Sequence, residues 1–170
     1  LGYYNGSIDG TYGAETRRAV RAFQRELGYD ETASLTPRQT AQLMCHAAQT
    51  ARDPSVQNVL GIMHAVGLGV VQNTDLALEW LEMAAVRGDP DANFNLAVIY
   101  GTGAVFGSYR LCAIVENPER ADAYLRDAAD LGHDLARRFR TTPELARAPS
   151  AQARWARIRQ GRRRGATLTS

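Results

Sequence analysis

Residues 53–88 read DPSVQNVLGIMHAVGLGVVQNTDLALEWLEMAAVRG, and the chain returns to the same pattern directly afterwards. Asp53-Pro54 recurs 36 residues later as Asp89-Pro90, whereas the second half of the unit recurs at an offset of 44. The positions shared by the two copies are Leu60 and Leu96, His64 and Tyr100, Gly67 and Gly103, Ala77 and Ala121, Trp80 and Tyr124, Leu81 and Leu125, Ala84 and Ala128, Ala85 and Ala129, and Gly88 and Gly132. A period of this length built from paired helices is typical of an α-solenoid.

Prolines mark where the helices begin. Five of the six follow a residue type that caps helices, and proline fits the first helical position because its missing amide hydrogen has no partner there. These pairs are Thr36-Pro37, Asp53-Pro54, Asp89-Pro90, Asn117-Pro118 and Thr142-Pro143. We predict helices near residues 14–27, 37–51, 54–66, 74–87, 90–101, 118–131, 143–147 and 151–160. No stretch alternates apolar and polar residues as a strand does, so the predicted fold is all-α.

Within the repeat, the residue types follow a fixed order. Leu60-Gly61 in the first helix precedes the turn Gly67-Leu68-Gly69, and the second helix carries Ala77, Trp80-Leu81, Ala84-Ala85 and a final Gly88. This pattern resembles the Sel-one-like repeat family, a relative of the tetratricopeptide repeats. The resemblance implies a short solenoid of two helix-turn-helix repeats that presents a concave surface to a protein partner. We expect the equivalent residues His64 and Tyr100 to contact that partner.

The second repeat departs from the first in two places. Ala97 stands where the first repeat has Gly61, and residues 104–117 lengthen the loop between the paired helices. Insertions are best tolerated in such loops. Because two repeats are fewer than the three or so usually needed for stability, we expect the helix at 37–51 to be shared between the solenoid and the segment before it.

A second informative run lies near the start of the chain and reads Gly6-Ser7-Ile8-Asp9-Gly10-Thr11-Tyr12-Gly13. Its three glycines predict positive φ angles or close backbone approaches, and Asp9 can accept hydrogen bonds from downstream amides. Together with Thr16, Ala19-Val20 and Phe23-Gln24 on the following helix, the run resembles the peptidoglycan-binding-like domain family. The resemblance covers about residues 1–44 and lacks the first of the family's three helices. We therefore expect a truncated three-helix module packed on the solenoid.

This second resemblance implies a shallow groove that holds the glycan and stem peptide of peptidoglycan without cleaving them. Tyr3, Tyr4 and Tyr12 lie close to the glycines in sequence, and tyrosine supplies both an apolar face and a hydroxyl donor. The expected contacts are Tyr4, Asn5, Asp9, Gly10, Tyr12, Gly13, Arg17 and Gln24. For Asp9, a purely structural role in the turn stays open beside ligand contact.

The sequence contains no catalytic or metal-binding constellation, and we predict neither enzyme activity nor a cofactor nor a metal. Neither a Cys-x-x-Cys nor a His-Glu-x-x-His motif occurs. Cys45 and His46 are adjacent, but neighbours on a helix point about 100° apart and do not easily form one ion pair. His133 is expected at a solvated helix C-terminus. Cys45 and Cys112 are interpreted as two structural thiols, with one disulfide bridge left open.

All 20 basic residues are arginine, and they are unevenly distributed. Residues 1–134 contain ten arginines and seventeen acids, whereas residues 135–170 contain ten arginines and one acid, so a body near −7 joins a tail near +9. Trp155 and Ile158 lie about one turn apart in this tail. Three interpretations stay open: a solvated, partly disordered tail or linker, a segment that folds back onto the acidic body, and a binder of nucleic acid or an anionic membrane surface.

These patterns predict a non-enzymatic adaptor of the cell envelope, periplasmic or otherwise envelope-associated by family resemblance. We expect a peptidoglycan-binding-like module at 1–44, a connection at 45–52, the repeat solenoid at 53–140 and an Arg-rich tail at 141–170. The expected partners are peptidoglycan and an unidentified protein on the repeats; nucleic acid is not expected, and no run of about 18 apolar residues predicts a membrane span.

Two alternative functions stay open. The first is an accessory or regulatory fragment of a larger cell-wall hydrolase or protease, motivated by the missing first helix and by a start at Leu1 without a leader. The second is a binder of nucleic acid or an anionic surface that acts through its arginine tail.

Overall fold

The structure is a computed structural model that describes residues 2–4, 11–50, 52–105, 109–111 and 114–163. These described residues form nine helices and one two-stranded ladder. The helices are α1 (Ala14–Glu26), α2 (Pro37–Thr50), α3 (Pro54–Val66), α4 (Thr74–Val86), α5 (Pro90–Thr102), α6 (Pro118–Asp130), α7 (Asp134–Thr141), α8 (Pro143–Ala146) and α9 (Ala151–Arg163). The strands are β1 (Ala104–Val105) and β2 (Tyr109–Arg110). The predicted all-α class is confirmed, and among the described helices none combines the length and the apolar character that crossing a bilayer requires.

The predicted helix starts are confirmed, and side chains cap most of them. Asp53 accepts a hydrogen bond from the Ser55 amide at 2.8 Å. Thr36 and Gln39 bond each other reciprocally: the Thr36 hydroxyl accepts from the Gln39 amide at 3.2 Å, and the Gln39 side chain accepts from the Thr36 amide at 3.0 Å. Gly13 and Thr142 are exceptions: Gly13 has no side chain to cap α1, and the Thr142 hydroxyl instead donates to a carbonyl oxygen of α7 at 2.8 Å.

The core of the solenoid runs along its helix pairs. α3 packs on α4, α5 packs on α6, and α4 joins the two pairs by contacting α5. Gly61 is needed for the close spacing of α3 and α4, because a Cβ there would lie 2.7 Å from Cγ of Leu81. The second repeat accommodates the fully buried Ala97 at the equivalent position. The buried residues of these contacts include Leu60, Ala65, Ala77, Ala84, Ala92, Leu96, Ile99, Ala121 and Ala128.

His133 begins a third repeat-like unit that the sequence pattern did not predict. Its Nδ1 accepts a hydrogen bond from the Ala136 amide at 3.2 Å, so it caps the start of α7 and is not the solvated helix end that we expected. Asp89 caps α5 in the same way at 2.6 Å. The polar contact between the starts of successive repeats also recurs. The Ser55 hydroxyl donates to Asp89 Oδ2 at 3.2 Å, and His133 Nε2 lies 3.4 Å from Asp91 Oδ1.

The insertion in the second repeat forms a small ladder. β1 and β2 pair antiparallel, with Val105 opposite Tyr109. Strands of two residues are too short to produce a detectable alternation of apolar and polar residues, which is why the residue pattern did not predict them.

The turn between paired helices is closed by the same hydrogen bond in both repeats. The Asn73 amide donates to the His64 carbonyl oxygen at 3.0 Å, and the Asn117 amide donates to the Tyr100 carbonyl oxygen at 2.8 Å. The residue before α6 is therefore bonded to α5 as the residue before α4 is bonded to α3, despite the insertion.

α2 joins the N-terminal module to the solenoid. It contacts α3, and the Gln57 side chain donates to the Ala48 carbonyl oxygen at 3.4 Å. The turn after α3 touches the other end of α2: Gly69 has a φ of 72°, and a Cβ there would overlap the carbonyl group of Pro37. Only glycine adopts this positive φ without strain and also leaves room for the Pro37 carbonyl group. α2 is thus held at both ends, while the domain boundaries proposed around it stay predictions.

The basic tail folds back onto the solenoid through α8 and α9, so the solvated interpretation is wrong for these helices. Trp155 is 1% exposed, and its Nε1 donates to Asp122 Oδ1 at 2.9 Å. A Cβ on Gly101 would overlap the Trp155 ring, which shows how closely α9 lies on α5. Arg159 donates to the Gly101 carbonyl oxygen at 2.7 Å and pairs with Glu116 at 2.8 Å. A buried indole and ion pairs with acidic residues hold α9 in place.

Candidate functional site

A pocket of about 420 Å³ opens between α1, α2 and the N-terminal segment. Apolar side chains from both helices line it. Its volume lies in the range of small-ligand sites. We call it the tyrosine pocket; its lining consists of Gly2, Tyr3, Tyr4, Tyr12, Thr16, Ala19, Val20, Phe23, Leu35, Leu43, Met44 and Ala47.

Tyr12 is fixed in position although its side chain is 51% exposed. Its hydroxyl donates to the Ala33 carbonyl oxygen at 2.8 Å, and its own carbonyl oxygen accepts from Arg17 Nη1 at 3.0 Å. Ala33 has a φ of 60°, which is uncommon for a residue other than glycine. Because the hydroxyl is already bonded, Tyr12 offers a ligand mainly the face of its ring.

Tyr3 packs against α1 on another side of the pocket. Its ring meets Phe23 edge to face, with 5.8 Å between the ring centroids, and its hydroxyl donates to Glu26 Oε2 at 2.8 Å. The hydrogen bond to the Glu26 carboxylate raises the pKa of Tyr3 above its ordinary value. The phenol therefore stays neutral and keeps its place at the pocket.

The predicted contacts are only partly brought together. Tyr4 and Tyr12 line the pocket, whereas Arg17 lies beside it and supports Tyr12. Gly13 caps the start of α1 with a φ of −84° and open space around it, so the predicted positive φ or close approach is wrong at this glycine. The predicted contacts Asn5, Asp9 and Gly10 lie outside the described part of the chain, as do Gly6, Ser7 and Ile8 of the same run.

Gln24 is a structural residue and not the surface contact that we predicted, because its side chain is 0% exposed. Its Nε2 donates to Thr32 Oγ1 and to the Ser34 carbonyl oxygen, each at 2.9 Å. Its Oε1 accepts from the Ala33 amide at 3.0 Å. A primary amide supplies both donors and an acceptor, so Gln24 fastens the loop between α1 and α2 to α1.

Sequence reasoning missed the side of the pocket that α2 provides. Leu43, Met44 and Ala47 come from this helix, and Leu35 comes from the loop before it. The three α2 residues follow the spacing of an apolar helix face, which was the available signal. That signal alone does not show whether the face is covered, because the packing partner lies elsewhere in the chain.

On the repeats, the predicted contact Tyr100 lies at the centre of a polar and aromatic cluster. Tyr100 is 7% exposed, and its hydroxyl donates to Glu82 Oε1 at 3.0 Å. Its ring stacks on Tyr124 with 5.9 Å between centroids, and the Arg120 guanidinium lies 4.3 Å from the Tyr100 ring centroid. Arg120 also donates to Glu82 Oε1 at 2.6 Å. We call Glu82, Tyr100, Arg120 and Tyr124 the repeat cluster.

Burial strongly affects the acidity of the central phenol in this cluster. Removal from water, with the Glu82 hydrogen bond adding to it, raises the pKa of Tyr100 to about 12. The hydroxyl therefore remains a hydrogen-bond donor at neutral pH. Tyr100 supports the more accessible side chains of Glu82, Arg120 and Tyr124 instead of facing a partner directly.

His64, the equivalent of Tyr100 in the first repeat, has different surroundings. It is half-buried, and its Nδ1 has no hydrogen-bond partner among the described residues. The residues equivalent to Arg120 and Tyr124 are Leu76 and Trp80. The repeat cluster therefore combines Glu82 of the first repeat with Tyr100, Arg120 and Tyr124 of the second, and in the described part of the chain His64 has no equivalent cluster around it.

The described residues contain no group of three histidine, cysteine, aspartate or glutamate side chains that could hold a metal ion. Cys45 is a half-buried free thiol on α2, and Cys112 lies outside the described residues. The tyrosine pocket presents aromatic rings and aliphatic side chains, which pack against a ligand without breaking its bonds.

Comparison with known families agrees with both resemblances. Residues 1–43 match the family model for a putative peptidoglycan binding domain, and residues 54–89 and 90–133 each match the Sel1 repeat. Neither matched family is a catalytic one. A search of curated proteins by sequence gave no significant match.

Two solved structures share the fold. The Sel1 repeat protein from Oxalobacter formigenes aligns with a TM-score of 0.52 and 23% identity, over 76% of this chain and 48% of its own. The protein c5321, a protective antigen of uropathogenic Escherichia coli strains with an SLR fold, aligns with a TM-score of 0.53 and 21% identity, over 87% of this chain and 30% of its own. The chain thus spans less than half the length of each. Residues 54–133 thus match two Sel1 repeats, and they follow a segment that matches a putative peptidoglycan binding domain.

Proposed function

We propose that this chain is a non-enzymatic adaptor of the cell envelope, in which the N-terminal module binds peptidoglycan and the repeats hold a protein partner. The observation that carries the proposal is that the segment matching the putative peptidoglycan binding domain also provides most of the tyrosine pocket. The Sel1 repeats support its second half, since stacked repeats present an extended surface for binding. A periplasmic or other envelope location is part of the same proposal.

The tyrosine pocket suits the mixed surface of a glycan with its stem peptide. A tyrosine ring packs well against the apolar face of a sugar or against a methyl group, and Tyr4 and Tyr12 are both exposed at the pocket. Arg17 lies next to Tyr12 and supplies a positive charge for a peptide carboxylate. We therefore propose Tyr4, Tyr12 and Arg17 as contacts, with Gly13 as a backbone position beside them. Asn5, Asp9 and Gly10 stay predictions, and Gln24 is left out because it is buried.

Co-sedimentation with purified insoluble peptidoglycan tests this binding. We expect the unmodified chain to pellet with the polymer and Tyr12→Ala to lose most of its binding, because truncation removes the exposed ring. Tyr29→Ala is the matched control. Tyr29 lies in the same module outside the pocket lining, and its hydroxyl also makes one hydrogen bond, to Gln42 Oε1 at 2.7 Å.

The outcomes test peptidoglycan binding by the chain and the role of Tyr12 separately. If the unmodified chain stays in the supernatant, the proposal that this chain binds peptidoglycan is wrong. Retention of binding by Tyr12→Ala would remove Tyr12 from the contacts. Circular dichroism of both variants identifies a loss of binding that is caused by unfolding of the module.

For the protein partner, we propose the repeat cluster as the main contact, with Glu82, Arg120 and Tyr124 reaching the partner and the buried Tyr100 supporting them. His64 is proposed as a second contact. Tyrosine and arginine are enriched among the residues that dominate binding energies at interfaces. We expect a partner captured from an envelope extract to be lost with Arg120→Ala and retained with Arg87→Ala, which removes an exposed arginine at the end of α4. Equal capture by both variants would contradict a role for the cluster.

A further inference from the structure

A second pocket lies at the other end of the molecule, between α6, α7, α8 and α9. It has a volume of about 300 Å³, and its wall is mostly polar, unlike that of the tyrosine pocket. Three guanidinium groups and one carboxylate contribute to the wall. We call it the arginine pocket; it is lined by Asp122, Leu125, Arg126, Arg140, Ala146 and Arg154.

The single carboxylate in this lining is already neutralised. Asp122 accepts hydrogen bonds from Arg154 Nη1 and from Trp155 Nε1. Arg154 is fixed further because its Nε donates to the Leu145 carbonyl oxygen at 3.1 Å. An arginine has five N–H donors, so these two bonds orient Arg154 and leave most of its donors unused.

The other two arginines have even more donors available. Arg140 Nη1 pairs with Asp130 Oδ1 at 2.7 Å, on the exposed side of the pocket. Within the described part of the chain, the Arg126 side chain has no hydrogen bond or ion pair. Even when Asp130 is counted, the arginines exceed the acids by one. Since like charges around one cavity repel each other, an anion placed between them would lower the energy of the arrangement.

We propose that the arginine pocket binds a small oxyanion group, either a carboxylate or a phosphate. The planar guanidinium fork matches both groups with two parallel N–H···O bonds. The three arginines belong to α6, α7 and α9, so a bound anion would also connect the C-terminal helices to the second repeat. This site is separate from the tyrosine pocket and does not depend on peptidoglycan binding.

Isothermal titration calorimetry of the full chain tests the proposal, with sodium phosphate and sodium citrate titrated separately at constant ionic strength. Constant ionic strength is needed because salt screens the general attraction of anions to a basic surface. We expect saturable binding that Arg126→Gln weakens about tenfold, as the loss of one charge-assisted pair predicts. Arg21→Gln is the matched control: it makes the same change of net charge at an exposed position on α1.

Weakening that is confined to Arg126→Gln supports the proposal with either anion, and the anion that binds more tightly identifies the class of ligand. Binding of neither anion to the unmodified chain would overturn the proposal. So would unchanged binding in Arg126→Gln, or equal weakening by Arg126→Gln and Arg21→Gln, because the effect would then reflect net charge alone.

Discussion

At the scale of single residues, one buried amide connects both helices of the N-terminal module with the loop between them. Gln24 on α1 bonds Thr32, Ala33 and Ser34 in the loop, and its Nε2 lies 3.4 Å from Gln39 Oε1 on α2. The same loop receives the Tyr12 hydroxyl at Ala33. Gln24 therefore stabilises the loop to which Tyr12 is bonded, although Gln24 itself does not line the tyrosine pocket.

The variant Gln24→Ala is expected to lower the free energy of unfolding by about 2 kcal/mol, because it leaves the buried Ala33 amide without its acceptor and removes the hydrogen bonds to Thr32 and Ser34. Urea unfolding measures the change. Gln49→Ala is the control, since it removes the same atoms from an exposed position in the last turn of α2. Equal losses in the two variants would show that burial of the amide is not the cause.

Tyr100 gives the protein a predictable response to alkaline pH. Burial first, and the Glu82 hydrogen bond second, raise the pKa of Tyr100 from 10.0 to about 12. The folded state therefore holds the phenolic proton more tightly than the unfolded state does. The resulting stabilisation is complete below pH 10 and is lost as the pH rises to about 12.

Between pH 10 and 12, the stability of the unmodified chain is expected to fall more steeply than that of Tyr100→Phe. The chain has no lysine, so its tyrosines dominate the titration in this range. Urea unfolding at several pH values gives the two slopes, and Tyr29→Phe controls for the loss of one phenol. Identical slopes for Tyr100→Phe and the unmodified chain would contradict the expectation.

At the scale of elements, α9 is positioned by shape as well as by charge. The Trp155 ring lies directly over Gly101, where a methyl group has no room. Gly101→Ala is expected to destabilise the fold by about 2 kcal/mol by forcing α5 and α9 apart. In a Trp155→Ala background the same substitution should cost much less, because the obstacle is gone. Unfolding of both single variants and the double variant tests this, and additive costs would count against the contact.

The elements differ in how far their sequence predicts them. Helix starts were predictable because a capping residue and a following proline act on the nearest turn. α7 was missed because histidine replaces aspartate at its cap and no proline follows His133. The contact of Trp155 with Gly101, the burial of Gln24 and the α2 wall of the tyrosine pocket all depend on residues distant in sequence, so local patterns could not reveal them.

At the scale of the whole molecule, the C-terminal helices close the end of the solenoid. A chain that ends at Thr142 would uncover the surfaces of α5 and α6 on which α9 lies. We expect its melting temperature to fall by about 5 °C or more, with increased binding of a dye that recognises apolar surface. Calorimetry is the measurement. Trp155→Ala should reproduce part of the loss while keeping every arginine, whereas an unchanged melting temperature in both would mean that α9 does not act as a cap.

Each junction between repeats is closed by immediate neighbours only: Ser55 meets Asp89, and Asp91 meets His133. A duplicate of residues 53–88 inserted after Gly88 would find both partners in place, because its own aspartate cap would meet Ser55 and its own serine would meet Asp89. Tandem duplication of this stretch would therefore keep this polar contact at each junction of a longer array. Copy number, and not a change of residues, would then set how far the N-terminal module stands from the C-terminal cap.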